Sequence, residues 1–516
     1  MMRFADIPLG TRPKGRWALT ADWLVIDTPQ GRRLIHKGEV VIEADRIVHA
    51  GPRFDCPRFD GPRFDGPRFD GDVTRYDMGA ALITPGFVDL DALSDLDTTV
   101  LAIDNHPGWQ KGRVWPRSYL TRGPYEMYTP DELAFQKRFA FAQLLLNGIT
   151  SALPIASLFY REWGETVAEF DAAAEAAQAL GLRVWLGPAY RSGGMVVEPD
   201  GTLTAQFDPD RGMTGLADAA AFAARIHGSA GGLISGMLAP DRVETCTGDL
   251  LRATFARADD LDCPVRLHMA QGMMELDTVR RLHGKTAPEW LGGMGLLSPR
   301  LIAPHATVAT DDDIARYADA GVTVAHCPLV SARFGAALRS FSALRARGIR
   351  IGMGTDTAPP DMVLNMAVGL MANRIAEGRA DAGSVAEFLD AATLSGADAL
   401  RRPDLGRLMP GAKADLAVFD MADPWIAPRI DPVQTLVYGA TGRVTRATIV
   451  DGRLSMRDGQ VAGIDMTSAR AQAQAQFDRL VERYPDRTHG HPDVAAIFPP
   501  SYPLARAGGI SNDASP

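Results

Sequence analysis

The feature that most constrains this fold is a repeat of apolar runs and Ala-rich helical segments between residues 82 and 356. The apolar runs are residues 82–88, 148–155, 182–189, 232–238, 264–269, 300–305, 322–327 and 349–356. Helical patterns lie between them at residues 129–146, 167–180, 311–320 and 336–347. Strands of a parallel sheet are buried on both faces and therefore read as nearly continuous apolar runs. Eight such runs in about 275 residues predict an α/β fold, a (β/α)8 barrel of the TIM type.

Short strand patterns flank this region on both sides. They occupy residues 18–19, 23–26 and 40–48 before it, and residues 414–419, 436–438, 444–450 and 453–455 after it. We predict that the two ends, 1–82 and 406–466, build one composite β-sandwich domain. The barrel then covers residues 83–405, and a helical C-terminal extension and tail cover residues 467–516.

Within the first flank, residues 51–71 repeat the tetrapeptide Pro-Arg-Phe-Asp four times at a period of five. This period is too short for a repeat that builds its own core, since solenoid repeats need about 20 residues or more. A surface loop is the favoured interpretation, and a partner-binding motif is the alternative.

Composition limits the partners of this chain. Its 516 residues include 54 Lys and Arg against 63 Asp and Glu, a formal net charge of -9. Nucleic acids and anionic membranes are bound by clustered basic residues, so neither is expected as a partner. The N-terminus lacks a signal peptide pattern, and the four cysteines contain no Cys-x-x-Cys pair. We therefore expect a cytoplasmic homodimer that acts on a small molecule.

Candidate catalytic residues follow the predicted barrel strands at their carboxyl ends, where such groups collect in TIM barrels. Only ten histidines occur in the chain, and three of them end consecutive strands. The strand-end residues are Asp89, Asp91, His268, His305, His326 and Asp356. Two imidazoles with one or two carboxylates are a suitable ligand set for Zn²⁺ or a similar ion, which activates water. The alternative for each single histidine is a hydrogen-bonded core residue.

The same segments carry a family resemblance. They are ITPGFVD at 83–89, LHMA at 267–270, PH at 304–305, VAHCP at 324–328, GMGTD at 352–356 and MPGAKADL at 409–416. Together they resemble the amidohydrolase superfamily, in particular the chlorohydrolases and aminohydrolases of triazines, guanine and cytosine-like rings. The resemblance implies a metal-dependent barrel hydrolase that acts on non-peptide C–N bonds.

Three positions depart from the family pattern. The first strand normally carries His-x-His, where this chain has Asp91 and Leu93. The fifth strand normally carries His-x-x-Glu, where this chain has Gln271, which cannot titrate. No lysine lies between Lys137 and Lys285, so a binuclear centre bridged by a carboxylated lysine is excluded.

With these departures, the resemblance implies one divalent ion, preferably Zn²⁺ with Fe²⁺ or Mn²⁺ as alternatives. Its ligands are expected among His268, Asp91, Asp356 and His305. Asp356 would accept the proton of water, His305 would stabilise the developing negative oxygen, and Gln271 would orient the substrate. The predicted substrate-binding residues are His326, Trp109, Trp115 and Asp361.

Leu93 and Gln271 leave a second hypothesis open. A metal-free or catalytically diverged amidohydrolase-fold protein could bind a small molecule or perform non-hydrolytic chemistry on it. Elemental analysis of the purified protein separates the two hypotheses.

Overall fold

Two parallel four-stranded sheets form the centre of the protein in a computed structural model that describes residues 3–53, 73–102 and 114–503. The first sheet has the order Ile234–Gly236, Arg183–Leu186, Ile149–Ile155 and Phe87–Leu93. The second has the order Val265–Arg266, Leu301–Pro304, Thr323–His326 and Arg350–Met353.

Backbone contacts join the two sheets on both sides. Leu238 forms a parallel bridge with Val265. On the other side the amide of Asp356 donates to the carbonyl of Asp91 at 2.8 Å. The eight strands therefore follow one another in the order of an α/β fold of the TIM-barrel type.

Helices lie between the barrel strands, as the alternation in the sequence predicts. The longer helices are Pro130–Leu146, Val167–Leu180, Pro209–Ile226, Gly248–Leu261, Met273–His283, Asp311–Ala320, Met362–Glu377 and Met466–Arg487. Shorter ones include Arg117–Arg122, Ala287–Gly293, Pro328–Arg333, Phe341–Ala346, Val385–Asp390, Pro432–Gly439 and Val494–Ile497. Among the described residues, no helix combines the length and the apolar composition that crossing a bilayer requires.

Both chain ends contribute to a single nine-stranded outer sheet. Eight of its strands have the order Gln460–Val461, Arg453–Arg457, Thr445–Val450, Leu416–Asp420, Ala81–Pro85, Arg16–Thr28, Gly31–Glu43 and Arg46–Pro52. The ninth, Val73–Asp77, pairs in parallel with Arg16–Thr28. The antiparallel pairing of Ala81–Pro85 with Leu416–Asp420 joins the N-terminal strands to the C-terminal ones. Residues 54–72, which contain most of the Pro-Arg-Phe-Asp repeat, lie outside the described residues.

The predicted strand at 82–88 is wrong in its bounds. It is two strands: Ala81–Pro85 belongs to the outer sheet, and Phe87–Leu93 is the first barrel strand. Gly86 separates them, and a Cβ at this position would lie 2.1 Å from the side chain of Thr150. The apolar run is continuous because both strands are buried, so hydrophobicity alone does not mark the break.

A second correction concerns residues 436–438, which were predicted as a strand. They lie in the helix Pro432–Gly439. Asp431 caps this helix by accepting from the amides of Val433 and Gln434, and Pro432 occupies the first turn. Both are helix start signals that precede the apolar residues. The two short strands predicted at 18–19 and 23–26 are one strand, Arg16–Thr28.

The C-terminal helix Met466–Arg487 confirms the helix predicted after residue 467. Its buried residues include Leu480 and Tyr484, which belong to an apolar cluster with Trp115 and Tyr119. Trp115 itself belongs to a small sheet with the strands Gly193–Val197 and Leu203–Phe207. The helix therefore packs against the loops at the carboxyl ends of the barrel strands.

Candidate active site

Asp91, His268 and His305 form a buried cluster at the carboxyl ends of the barrel strands. One potential ligand atom from each lies within 4.8 Å of the others. His268 Nε2 is 3.4 Å from Asp91 Oδ2, and His305 Nε2 is 3.5 Å from Asp356 Oδ2. The two imidazole centroids are 5.4 Å apart. The structure thus brings together four residues that the sequence predicts at strand ends.

The tautomer of His268 follows from its main-chain partner. Its Nδ1 lies 3.2 Å from the carbonyl oxygen of Asp241. A carbonyl only accepts, so this hydrogen bond requires the proton on Nδ1. Nε2 then faces Asp91 Oδ2 at 3.4 Å, so it is the ring nitrogen placed to bind a metal ion once it is unprotonated.

Asp91 makes close contacts with cationic groups and one thiol. Arg266 Nη1 lies 3.2 Å from Asp91 Oδ1, and the Cys327 thiol lies 3.7 Å from Oδ2. Burial by itself would raise the pKa of Asp91, but the positive charges of His268 and Arg266 hold it well below its usual value. One oxygen of Asp91 is thus held by Arg266, while the other faces His268. Two imidazoles and one carboxylate oxygen fit a single divalent ion.

Asp89 holds the first and eighth strands together beside the cluster. Its Oδ2 accepts from the Thr355 hydroxyl at 2.5 Å, and its Oδ1 accepts from the amides of Thr355 and Asp91 at 3.0 and 3.1 Å. Burial raises the pKa of Asp89 to about 6 although it accepts these bonds. The contacts fix the backbone of Asp91 and of Asp356, which directly follows Thr355.

Two strand-end residues of the cluster have a backbone conformation that side chains rarely adopt. The φ angle is 78° at His305 and 41° at Asp356. Positive φ at residues other than glycine costs about 1–3 kcal/mol and is concentrated at functional sites. The rest of the fold therefore stabilises an unfavourable local conformation at these two residues.

A cavity opens above the cluster, and its space together with the open solvent at its mouth amounts to about 1130 Å³. His268 and Asp356 lie in its wall, together with Leu93 and Gln271. Its other charged lining residues are Asp241, Arg242, Glu244, Arg191 and Arg487. Trp115 lines it too, stacked on Trp163 with centroids 5.5 Å apart.

Gln271 is held by a charged network. Arg242 donates to its side-chain oxygen, and Nε of the same arginine donates to Glu244 Oε1 at 2.8 Å. Glu275 accepts from the amides of Ala270 and Gln271, both at 2.7 Å. Burial, with a further contribution from the charge of Glu244, raises the pKa of Glu275 to about 8. These contacts fix the loop that carries Gln271 into the cavity wall.

The structure does not bring all predicted substrate-binding residues to this cavity. His326 is buried between Phe341 and Phe388, with ring centroids at 6.0 and 6.5 Å, and burial lowers its pKa to about 3. Asp361 caps the helix Met362–Glu377 and also accepts from the amide of Gly442 at 2.9 Å. Trp115 does line the cavity, whereas Trp109 lies outside the described residues.

Sequence reasoning missed four arginines of the site, among them Arg242, which holds Gln271. Arg266 precedes His268 by two residues, and alternation along the strand could have placed both on one face. Arg191 follows the third strand, so it obeys the strand-end rule that identified the histidines. Arg487 belongs to the C-terminal helix, and no pattern near the barrel motifs indicates it.

A TIM-type barrel with histidines and carboxylates at its strand ends is typical of metal-dependent barrel hydrolases. Residues 82–455 match the sequence profile of the amidohydrolase family, and the chain belongs to this family. The resemblance in the strand-end motifs is thereby confirmed.

Two sequence relatives agree with this assignment. A 5-methylthioadenosine/S-adenosylhomocysteine deaminase of Nitratidesulfovibrio vulgaris is 35% identical over 237 residues, 45% of this chain and 54% of that protein. A protein of the same name from Symbiobacterium thermophilum is 27% identical over 453 residues, 86% of this chain and 94% of that one.

Two crystal structures share the fold. An adenosine deaminase from Xanthomonas campestris with bound zinc has a TM-score of 0.72 at 20% identity, covering 91% of this chain and 99% of that one. A mutant atrazine chlorohydrolase from Arthrobacter aurescens TC1, complexed with zinc and atraton, has a TM-score of 0.72 at 22% identity. The match covers 89% of this chain and 100% of the chlorohydrolase chain.

Proposed function

We propose that this amidohydrolase-family hydrolase cleaves a non-peptide C–N bond of a small cyclic or amide-like molecule with the help of one divalent ion. The observation that carries the proposal is the cluster of Asp91, His268 and His305, whose ligand atoms lie within 4.8 Å of one another and of which His268 lines a cavity. Zinc suits two imidazoles and a carboxylate, and the two structural neighbours described above contain zinc.

In this proposal Asp91, His268 and His305 hold the ion. A divalent ion bound there would act as a Lewis acid and lower the pKa of water toward neutrality. Asp356 is the base that accepts a proton from the attacking water, since its carboxylate lines the cavity beside His305. His268 keeps its Nδ1 proton on the carbonyl of Asp241, which fixes the plane of its ring.

The leaving nitrogen needs a proton, and Gln271 cannot supply one. In this proposal Asp356 returns to that nitrogen the proton that it accepted from water. We propose that Gln271 instead orients the substrate through its amide, because Arg242 and the loop contacts of Glu275 fix its position. Trp115 lines the cavity, but its ring is covered by Trp163, stacked at 5.5 Å, and by the guanidinium of Arg191 at 4.4 Å, so it does not offer a face for stacking on a planar ring.

A second candidate function rests on Arg266. Its guanidinium lies 3.2 Å from Asp91, so the carboxylate already has a cationic partner without an ion. The first strand also has Leu93 where the family pattern has a histidine, so it offers one metal ligand fewer. A metal-free protein that binds a small molecule is consistent with both observations.

Metal content separates the two candidates. Protein expressed with added zinc should contain one ion per chain, and His268→Ala should lose both the ion and turnover. His283→Gln is the matched control, because His283 stacks on Trp290 away from the cavity. Ammonia release from 5-methylthioadenosine and from guanine is the first turnover assay. Clearly substoichiometric metal in the wild type would favour the second candidate.

Three further expectations stay predictions from the sequence. They are the homodimer, the cytoplasmic location and the division of the chain at residues 82, 405 and 466. Light scattering of the purified protein tests the first of them.

A further inference from the structure

Two arginines from distant parts of the chain meet at one aromatic ring in the cavity. The guanidinium carbon of Arg191 lies 4.4 Å from the ring centroid of Trp115, and that of Arg487 lies 5.9 Å from it. Both arginines line the cavity that contains His268 and Asp356. They are 6% and 2% exposed, so both charges lie in the interior.

Both guanidinium groups carry buried N–H groups with no acceptor among the described residues. In Arg191 these are Nε and Nη2, while Nη1 lies 4.0 Å from Asp241. In Arg487 they are Nε and Nη1, while Nη2 donates to the carbonyl of Leu158 at 3.4 Å. An unsatisfied buried donor is costly, and buried donors nearly always have partners. Four such nitrogen atoms, on two arginines that line the same cavity, therefore indicate a ligand that accepts hydrogen bonds.

The acidic groups near this region compensate the two arginines only in part. Asp241 lies 4.0 Å from Nη1 of Arg191, and the charge of Asp97 acts on Arg487. Glu244 is held by Arg242 at 2.8 Å. Burial lowers the pKa of Arg191 and of Arg487 to about 10, and in Arg487 the charge of Arg191 contributes. Both groups are still cationic at neutral pH, and two nitrogen atoms of each have no acceptor among the described residues.

We propose that the substrate carries a carboxylate, and that Arg191 and Arg487 bind it while the scissile bond lies at His268 and Asp356. This inference depends on the proposed hydrolase function in one respect only, the position of the scissile bond. Nε and Nη2 of Arg191 form one edge of the guanidinium, and this edge binds the two oxygens of a carboxylate side by side. Arg487 adds donors from the C-terminal helix, so the extension completes the subsite.

Calorimetric titration of benzoate and benzamide at constant ionic strength tests the proposal. The two probes have nearly the same shape, and only benzoate is an anion. We expect wild-type protein to bind benzoate at least about tenfold more tightly than benzamide. The reason is that hydrogen bonds to a charged acceptor contribute more to binding than hydrogen bonds to a neutral one. Arg191→Gln and Arg487→Gln should each abolish this preference. Arg470→Gln should keep it, because Arg470 is an exposed residue of the same helix.

The His268→Ala variant separates this proposal from the proposed function. It removes the predicted ion, so a preference for benzoate that persists in it comes from the arginines. Circular dichroism checks that each variant is folded, and Arg191→Gln provides a second test should Arg487→Gln loosen the helix. Equal binding of the two probes, or an unchanged preference in both arginine variants, would overturn the proposal. Inorganic phosphate that displaces benzoate and binds more tightly would overturn the carboxylate assignment.

Discussion

Asp89 in the first barrel strand and Thr355, two residues after the eighth, form a 2.5 Å hydrogen bond directly beside Asp91 and Asp356. The bond links two strands that lie more than 260 residues apart in the chain. It thereby fixes the distance between the carboxylate of the predicted metal site and the predicted base.

Replacing Thr355 by Val tests this link, because the shape is retained and the hydroxyl is lost. We expect a loss of about 1.5–3 kcal/mol in the free energy of unfolding, the range for a hydrogen bond to a charged group. Turnover should fall as well, since Asp356 follows Thr355. Thr323→Val is the control: Thr323 is buried in the seventh strand, and its hydroxyl has no partner among the described residues. Equal losses in both variants would contradict this role.

The buried pair Asp95 and Asp97 predicts a pH dependence of stability. Burial, together with the charge of Asp97, raises the pKa of Asp95 from 3.8 to about 8, although Lys137 opposes the rise. The folded state therefore binds this proton more tightly than the unfolded state, and stability must fall as the pH rises from about 4 to about 8. A single group contributes at most about 1.4 kcal/mol per pH unit.

Urea unfolding at about pH 5 and pH 8 measures this slope. Asp95→Asn should flatten the slope, even though the substitution also changes the hydrogen bond from the amide of Ser157. Asp249→Asn should leave the slope unchanged, because the side chain of Asp249 is 92% exposed. Identical slopes in Asp95→Asn and wild type would show that Asp95 does not titrate in this range.

Tyr484 anchors the C-terminal helix to the barrel. Its hydroxyl lies 2.8 Å from each carboxylate oxygen of Asp97, in a buried contact. Tyr484→Phe should cost about 1.5–3 kcal/mol of unfolding free energy. Tyr317→Phe should cost little, because the buried Tyr317 hydroxyl has no acceptor within the described part of the chain. A Tyr484→Phe variant as stable as Tyr317→Phe would argue against the anchor.

Arg183 joins the third barrel strand to the outer sheet. It contacts Asp415 at 2.8 Å and Asp451 at 2.8 Å, and all three side chains are buried. Arg183→Met leaves two carboxylates partly uncompensated, so we expect a loss of about 3–5 kcal/mol in denaturant unfolding. The exposed pair of Arg225 and Asp171 is the reference, and Arg225→Met should cost about 0–1 kcal/mol. Comparable losses in both variants would mean that the buried network contributes no more than a surface pair.

The barrel was predictable because its signal is local and repeated. Strands buried on both faces must be apolar, and the strand-end rule then located His268, His305 and Asp356 without any knowledge of their partners. The break at Gly86 and the helix at Pro432–Gly439 were not predicted, because burial in a sheet and burial under a helix give the same apolar composition.

The sequence alone determined the strand order, the residue types at the strand ends and the family. Only the tertiary structure decided that His326 packs between two phenylalanines and that Asp361 caps a helix. Only the tertiary structure, too, brought Arg487 to within 5.9 Å of the Trp115 ring. The reason is physical: local composition fixes which face a residue needs to bury, whereas contacts between segments hundreds of residues apart depend on how helices and loops pack over the barrel.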